Sequence, residues 1–322
     1  MAHEIESMTY AGEVPWHKLG TKIDDSLCYD WLAVSKAAGL DWQADLVDLM
    51  TTDTGAIVTH RAVRRNTDGK ILGVVGPDFR PLQNAEAFAW FVPFLESRQA
   101  QLHTAGSLRG GSRVWVLAKL NRDPMVIATG DEVEKYLLLS HGHDGSLCVR
   151  VGFTPIRVVC ANTLAQSHNA DASKLIRLKH TAGLQTNLAN VREIMDLANQ
   201  QFEASAEQYR LLARKSINQA DLRKYVKLAI GVDKIGQDAT AEAALSTRTK
   251  NTIERIMSMA EYGRGNDMPS IKGTYWAAYN GVSEWLVYDR GHSDESRLNS
   301  LWYGDSSNLN RQALELALAM AT

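Results

Sequence analysis

The sequence lacks the short motifs that mark nucleotide-dependent and metal-dependent chemistry. It contains no G-x-x-x-x-G-K-[ST] phosphate loop, no G-x-G-x-x-G turn after a strand and no H-E-x-x-H pair. ATP-driven or dinucleotide chemistry therefore has no support, and we expect the protein to use no cofactor.

Cysteine and long apolar runs are also scarce. The three cysteines, Cys28, Cys148 and Cys160, lack the close C-x-x-C spacing of zinc and redox sites, which favours a reducing compartment. No apolar run approaches the roughly 18 residues of a membrane span, and the opening MAHEIESM has no signal-peptide core. We expect a cytoplasmic protein that does not associate with membranes.

Neither sign of charge is in large excess. A net charge of −2 over 322 residues gives no support for non-specific nucleic-acid binding by the whole molecule, so any basic surface must be local. With 45% hydrophobic and 22% charged residues, the chain has the composition of an ordinary globular protein. Its length suits one large domain or two modest ones.

Hydrophobic periodicity predicts an α+β region followed by helices. The first region is expected to contain a helix at 27–39, strands at 42–50, 56–65 and 71–76, a helix at 85–98 that Pro93 kinks or breaks, a hairpin at 102–120 and strands at 136–140 and 147–160. Helices at 186–215, 219–230, 247–262, 274–288 and 308–321 are expected to follow. We therefore predict an α+β core domain over 1–182 and an all-helical C-terminal third over 183–322.

Alternation along the last of these strands predicts which side chains face solvent. Leu147, Val149, Val151 and Phe153 alternate with Cys148, Arg150, Gly152 and Thr154, as expected when one face is buried and the other is wet. Pro155 cannot donate to a ladder, so we expect a bulge or an edge position there. A shift by one residue would return Arg157 to the face of Arg150.

The strand at 113–120 combines basic and aromatic residues on one face. Arg113, Trp115, Leu117 and Lys119 alternate with Val114, Val116, Ala118 and Leu120. Single-stranded nucleic acid favours this combination, because cations meet phosphates while an aromatic face stacks on a base, at about 1–3 kcal/mol per base.

Basic residues are concentrated in and just after the β region. We predict that phosphates are met by Arg61, Arg65, Arg109, Arg113, Lys119, Arg150 and Arg157, with Trp115 stacking on a base and Lys174, Arg177 and Lys179 extending the surface. An alternative stays open, since outer faces of sheets are usually polar and the stems of Lys and Arg cover apolar surface well.

Three further patterns each have a structural and a chemical interpretation. The tip at 108–113 could present backbone N–H groups to a phosphate, or it could be a plain Gly-Gly turn. His141 and His143 flank a glycine beside Asp144, but no further ligand is near in sequence and Asp-Gly explains a turn, so we predict no metal site. Cys160 could be a nucleophile, although a buried small residue explains it as well.

Five stretches of the chain carry a family resemblance. They are EVPWHKLG at 13–20, FRPLQN at 79–84, GSL at 106–108 followed by Gly-Gly, IRVVCANTL at 156–164 and WAAYN at 276–280. Together they resemble the phage/plasmid-like proteins of unknown function that occur on prophages, phages and conjugative plasmids. The resemblance spans most of the chain and implies a protein of a mobile element.

The segment 27–98 has the element order helix, three strands, helix. This order is similar to the core of the single-strand annealing recombinases, the RecT/Redβ and Rad-fifty-two-like group. Their core has a strongly curved antiparallel β meander between helices, and they form rings that hold single-stranded DNA in a basic groove. The likeness implies a curved antiparallel sheet with packing helices in this chain, and it is one of fold alone.

We therefore expect a non-enzymatic protein that binds and anneals single-stranded DNA in recombination or replication of a mobile element. It would form a homo-oligomer, such as a ring, and its helical third would mediate self-association or recruit host replication or recombination proteins. The main alternative is an interaction protein that targets host machinery or counters host defence without binding DNA. A third alternative is an enzyme acting through Cys160 or the pair His141 and His143.

Overall fold

The computed structural model describes residues 5–12, 20–157, 162–163, 176–193, 195–232, 245–291, 297, 300–301 and 304–322. Two compact units are present. Unit 1 comprises Met1–Arg122, Tyr136–Phe153 and Lys174–Ala198, and unit 2 comprises Asp123–Lys135, Thr154–Ser173 and Asn199–Thr322. The predicted α+β class is confirmed, since every described element after residue 178 is a helix and the strands precede it. The predicted domain boundary between residues 182 and 183 stays a prediction.

The N-terminal helix of unit 1 is preceded by two strands and a short 3-10 helix. These elements are β1 (Ile5–Tyr10), β2 (Thr21–Lys22), the 3-10 helix Asp25–Tyr29 and α1 (Trp31–Ala37). The single helix predicted at 27–39 is divided in two because Asp30 has an extended backbone and its carboxylate accepts hydrogen bonds from the N–H groups of Leu32 and Ala33. This is the geometry of an N-cap, at which a new helix begins.

A three-stranded antiparallel sheet follows, with the order β3 (Ala44–Met50), β4 (Ile57–Arg65) and β5 (Ile71–Val75). Each strand lies where the hydrophobic pattern predicts it. The turn between β4 and β5 is closed by Asp68, whose carboxylate accepts a hydrogen bond from the N–H of Lys70, and Gly69 takes the positive φ of 72° that the turn requires.

Two short helices, α2 (Asn84–Ala89) and α3 (Val92–Glu96), replace the single helix predicted at 85–98. Pro93 lies in the first turn of α3, so the predicted break at this residue is confirmed. The N-cap of α2 is Gln83, whose N–H donates to the Glu86 carboxylate over 2.8 Å.

The remaining strands are β6 (Ala100–Leu108), β7 (Arg113–Leu120), β8 (Met125–Ala128), β9 (Asp131–Gly142), β10 (Val149–Arg157), β11 (Asn162–Thr163) and β12 (Ile176–Leu178). In unit 1 the strand order is β10-β9-β7-β6-β1-β2, and β12 pairs with β10. In unit 2 the start of β9 pairs with β8, and the end of β10 pairs with β11. With β12 beside β10, the central strand of the seven in the unit 1 sheet is therefore β7.

Helices complete both units. They are α4 (Leu184–Glu193), α5 (Met195–Arg214), α6 (Gln219–Ala229), α7 (Thr247–Tyr262), α8 (Tyr275–Tyr288) and α9 (Asp305–Ala321). The core of unit 2 is α8, which is buried along nearly its whole length and whose Trp276 indole donates to the buried Asp131 carboxylate over 2.6 Å. Among the described helices, none is long and apolar enough to cross a membrane.

Candidate nucleic-acid interface

Strands β10 and β12 place two arginines directly opposite each other. In the antiparallel register Val149 pairs with Leu178, Arg150 with Arg177 and Val151 with Ile176. Val149 and Val151 are buried, so the two arginines lie on the opposite face of the strands. Burial is confirmed at Leu147, Val149 and Val151, all 2% exposed or less. Further along the strand the predicted alternation fails, because Gly152 is buried and Phe153 is only half-buried.

This arrangement brings like charges together at an edge of the sheet. Arg177 and the following Lys179 are exposed, and Arg150 is half-buried. No described carboxylate forms an ion pair with Arg177 or Lys179. Like charges directly opposite each other destabilise an antiparallel ladder. We call Arg150, Arg177 and Lys179 the basic edge.

Two other predicted phosphate ligands lie at the two ends of β7. Arg113 lies opposite Gly142 of β9, and its guanidinium donates to the Ser146 hydroxyl over 3.0 Å. Lys119 lies opposite Gln101 and Tyr136. Six residues of extended strand separate Arg113 from Lys119 by roughly 20 Å, so β7 does not bring them together.

Trp115 is not exposed beside these cations. It is 1% exposed, its indole N–H donates to the Thr104 hydroxyl over 3.4 Å, and a Cβ at Gly106 would lie 2.5 Å from its ring. The prediction that Trp115 is open to a base on this face of β7 is wrong, because side chains on both faces of the strand are buried. A base cannot stack on Trp115 in this conformation.

Arg65 is bound to carboxylates of its own chain, which corrects the expectation that it is a free surface cation. Its guanidinium donates to both oxygens of Glu6, each over 2.8 Å, and to Asp68 over 2.7 Å and 2.9 Å. It is 8% exposed and lies 5.4 Å from the centre of the Trp42 ring. Hydrogen bonding to Arg65 lowers the pKa of Glu6, lowers the pKa of Asp68 to about 2, and raises the pKa of Arg65 itself.

The glycine turn between β6 and β7 faces this ion-pair cluster. A Cβ at Gly111 would lie 2.9 Å from the Glu6 carboxylate, and a Cβ at Gly110 would overlap the Lys70 ammonium. An internal carboxylate therefore lies at the place that a phosphate would take, which favours the plain-turn interpretation of this tip. Arg109 in the same turn is exposed with a positive φ of 52°, and Arg61 donates to the carbonyl of Pro77 over 3.1 Å.

Three residues of the predicted sites lie partly or wholly outside the described residues. Lys174 and Cys160 are among the residues not described, and only the backbone of Arg157 is described, paired with Asn162. Whether Arg157 shares a face with Arg150 therefore stays a prediction.

A third histidine joins the pair that the sequence singles out. His141, His143 and His180 are all buried, and the rings of His141 and His143 lie 4.8 Å apart. Within the part of the chain that the structure describes, no group of three or more histidine, cysteine, aspartate or glutamate side chains is arranged to hold a metal. Sequence reasoning missed His180 because no local pattern connects it to residues nearly 40 positions earlier.

A family model described as a domain of unknown function, DUF932, matches residues 71–302, which is well over half of the chain. The chain belongs to the DUF932 family. The DUF932 match includes the basic edge and the three histidines, whereas β1 to β4 precede it. No curated protein and no solved structure matches this DUF932 chain significantly.

Proposed function

We propose that this DUF932 protein binds single-stranded DNA at the basic edge, without catalysing a reaction, in recombination or replication of a mobile element. The observation that carries the proposal is the register of β10 and β12, which sets Arg150 opposite Arg177 on the outward face. Guanidinium groups bind phosphate oxygens with paired, charge-assisted hydrogen bonds. Lys179 adds a third positive charge next to this pair.

The size of the basic edge favours a flexible single strand over a duplex. Three cations on one short strand pair cover a few phosphates, and a single strand can bend to bring its phosphates to them. Such contacts release counterions, so binding should weaken as salt rises. The net charge of −2 makes this patch, and not the whole surface, the expected source of attraction.

The first experiment measures fluorescence anisotropy of a labelled oligonucleotide with the variant Arg150→Gln, Arg177→Gln, Lys179→Gln. Loss of three phosphate contacts at 0.1 M salt should weaken binding by about 100-fold, since each contact contributes roughly 0.7 to the slope of log K on log salt. The matched control changes three exposed cations elsewhere, Lys22→Gln, Lys224→Gln and Arg248→Gln. Equal losses in both variants would mean that net charge, and not the basic edge, governs binding.

Annealing and ring formation belong to the same proposal and need a separate measurement. The mass of the purified protein in solution, with and without a single-stranded oligonucleotide, shows whether it forms assemblies and whether DNA changes them. Large assemblies that change on adding DNA, together with faster pairing of complementary strands, support annealing. A monomer in both conditions would be consistent with DNA binding by a single chain and would rule out the ring.

A different surface favours the interaction-protein alternative. On one face of the three-stranded sheet Val58, Ile71 and Val74 are 37%, 52% and 55% exposed, and at the far end of the β3-β4 hairpin Met50 lies opposite Ile57, both more exposed still. Contiguous exposed apolar residues often mark protein contacts. A host protein recovered after nuclease treatment, and lost in an Ile57→Ser, Val74→Ser variant that still binds DNA normally, would establish this second function.

A further inference from the structure

Three buried histidines meet in the core of unit 1. His141 lies in β9 and His143 follows the last residue of that strand, Gly142, and their rings lie 4.8 Å apart at 85°. Trp42 lies 5.1 Å from the His143 ring, and Phe79 stacks on His180 with ring centres 4.6 Å apart. The exposed fractions of the three histidines are 0%, 0% and 7%, so water reaches them hardly at all.

The hydrogen bonds of His141 and His143 provide no acceptor for a second proton. Nε2 of His143 lies 3.3 Å from the amide oxygen of Asn84, but Nδ1 of His143 and both ring nitrogens of His141 have no hydrogen-bond partner among the described residues. A neutral imidazole has one N–H donor, whereas the protonated ring has two. Protonation in place would therefore add buried charge and a donor that no acceptor satisfies.

The charged groups around the cluster do not compensate for this. The negative charge of Asp144 raises the pKa of His180. The guanidinium of Arg80 donates to the carbonyls of Pro77 and Phe79. Burial lowers the pKa of His141 and lowers that of His143 to about 3, and the charge of a protonated neighbour adds to this effect. Burial also lowers the pKa of His180, although backbone contacts with Arg80 and Leu147 and the charge of Asp144 partly offset it.

His180 attaches the strand that carries two residues of the basic edge. The N–H of Arg80 donates to the carbonyl of His180 over 2.9 Å, and Nδ1 of His180 donates to the carbonyl of Arg80 over 3.0 Å. Because His180 lies two residues after the end of β12, these two hydrogen bonds fix the segment 176–180 to the turn at Phe79 and Arg80. We propose that His141, His143 and His180 form an acid-sensitive latch that holds this segment and releases it when the pH falls.

The direction of the pH effect follows from the number of protons that each state binds. A released, hydrated histidine has a pKa near 6.5 and a latched one has a lower pKa, so the released state binds more protons below pH 6.5. The latch is at full strength above that pH and weakens as the pH falls. At pH 5.0 each histidine that becomes hydrated should raise the opening constant by about 30-fold.

Hydrogen exchange of the full chain, read by mass spectrometry at pH 7.5 and 5.0 and corrected for the intrinsic pH dependence of exchange, tests the latch. Peptides covering 176–180 and the amide of Arg80 should lose protection by about 30-fold or more at pH 5.0. Peptides from α8 should keep theirs. Equal loss in every peptide would indicate global acid unfolding and overturn the latch, as would unchanged protection at 176–180.

Two variants and a control make the assignment specific. In His141→Leu the loss of protection at 176–180 between pH 7.5 and pH 5.0 should be about 30-fold smaller. Protection at pH 7.5 should not fall, because neither nitrogen of His141 has a described partner. His143→Gln, which can keep a contact with Asn84, supplies the same readout if the leucine variant fails to fold. His60→Gln removes an exposed histidine of β4 and should behave like the native chain. An undiminished acid effect in a folded His141 or His143 variant would contradict the latch. The hydrogen-exchange result is independent of whether the basic edge binds DNA.

Discussion

Replacing Arg65 with methionine lowers the free energy of unfolding by about 2–3 kcal/mol, as expected when charge-assisted hydrogen bonds are lost from an ion pair whose carboxylate is partly exposed. Methionine fills a similar volume but removes the two hydrogen bonds that hold the Glu6 carboxylate, which keeps the more distant Lys70 ammonium at 3.6 Å. Urea unfolding followed by tryptophan fluorescence and circular dichroism measures the loss.

The neighbouring residue on β4 supplies a matched control. Arg64 is exposed and lies 3.7 Å from the Asp45 carboxylate, so Arg64→Met should cost less than about 1 kcal/mol. Similar small costs for both variants would show that Arg65 is not held as described and is open to solvent. Native oligonucleotide affinity in the folded Arg65→Met variant would separate this internal role from phosphate binding.

The same cluster contributes a second acid-dependent phase to stability. Since hydrogen bonding to Arg65 lowers the pKa of Glu6 below its ordinary 4.5, the stabilisation is present above that pH and is lost as the pH falls below it. The histidine latch begins to weaken at higher pH, near 6.5. In Arg65→Met the loss of stability below pH 4.5 should shrink, while the loss that begins near pH 6.5 should persist. In His141→Leu the loss near pH 6.5 should shrink, while the loss below pH 4.5 should persist.

Replacing Trp115 with alanine is expected to cost about 3–5 kcal/mol of unfolding free energy, the usual range for truncating a buried aromatic side chain. Its ring fills the space above Gly106 in the sheet, and its indole N–H contacts Thr104. The folded variant should bind an oligonucleotide with native affinity. Tyr262→Ala, at a side chain that is 70% exposed, is the control and should change stability little.

A base-stacking tryptophan would give the opposite result. Its removal would weaken DNA binding by about 1–3 kcal/mol and leave the folded state nearly as stable as before. Comparing unfolding and binding in one variant therefore decides whether Trp115 is a core residue or a DNA contact. A large binding loss at native stability would contradict its position in the core.

Local pattern was sufficient where one strand face is buried and the other is exposed. The alternation of Val149 and Val151 with Arg150 predicts the inward and outward faces of β10, and both are as expected. Strand positions 44–50, 57–65 and 71–75 were also predictable, because β-branched residues and an Asp-Gly turn are local signals.

Long-range contacts explain what the pattern could not predict. The alternation at Trp115 is the same as in a half-exposed strand, yet both faces of β7 are covered by residues distant in sequence. Arg65 looked like a surface cation because its partner Glu6 lies 59 residues earlier. The pairing of Arg150 with Arg177 likewise depends on a strand that follows an intervening segment. The local excess of basic residues predicts a basic surface, but it does not predict which residues lie opposite each other.

The salt dependence of oligonucleotide binding tests most directly whether Arg150, Arg177 and Lys179 hold DNA. With log K plotted against log salt, the native chain should show a steep negative slope, and the variant with all three changed to glutamine should have a slope shallower by about 2, or three contacts at roughly 0.7 each. The control variant at Lys22, Lys224 and Arg248 should keep the native slope. Identical slopes for the native chain and the basic-edge variant would contradict DNA binding at this edge.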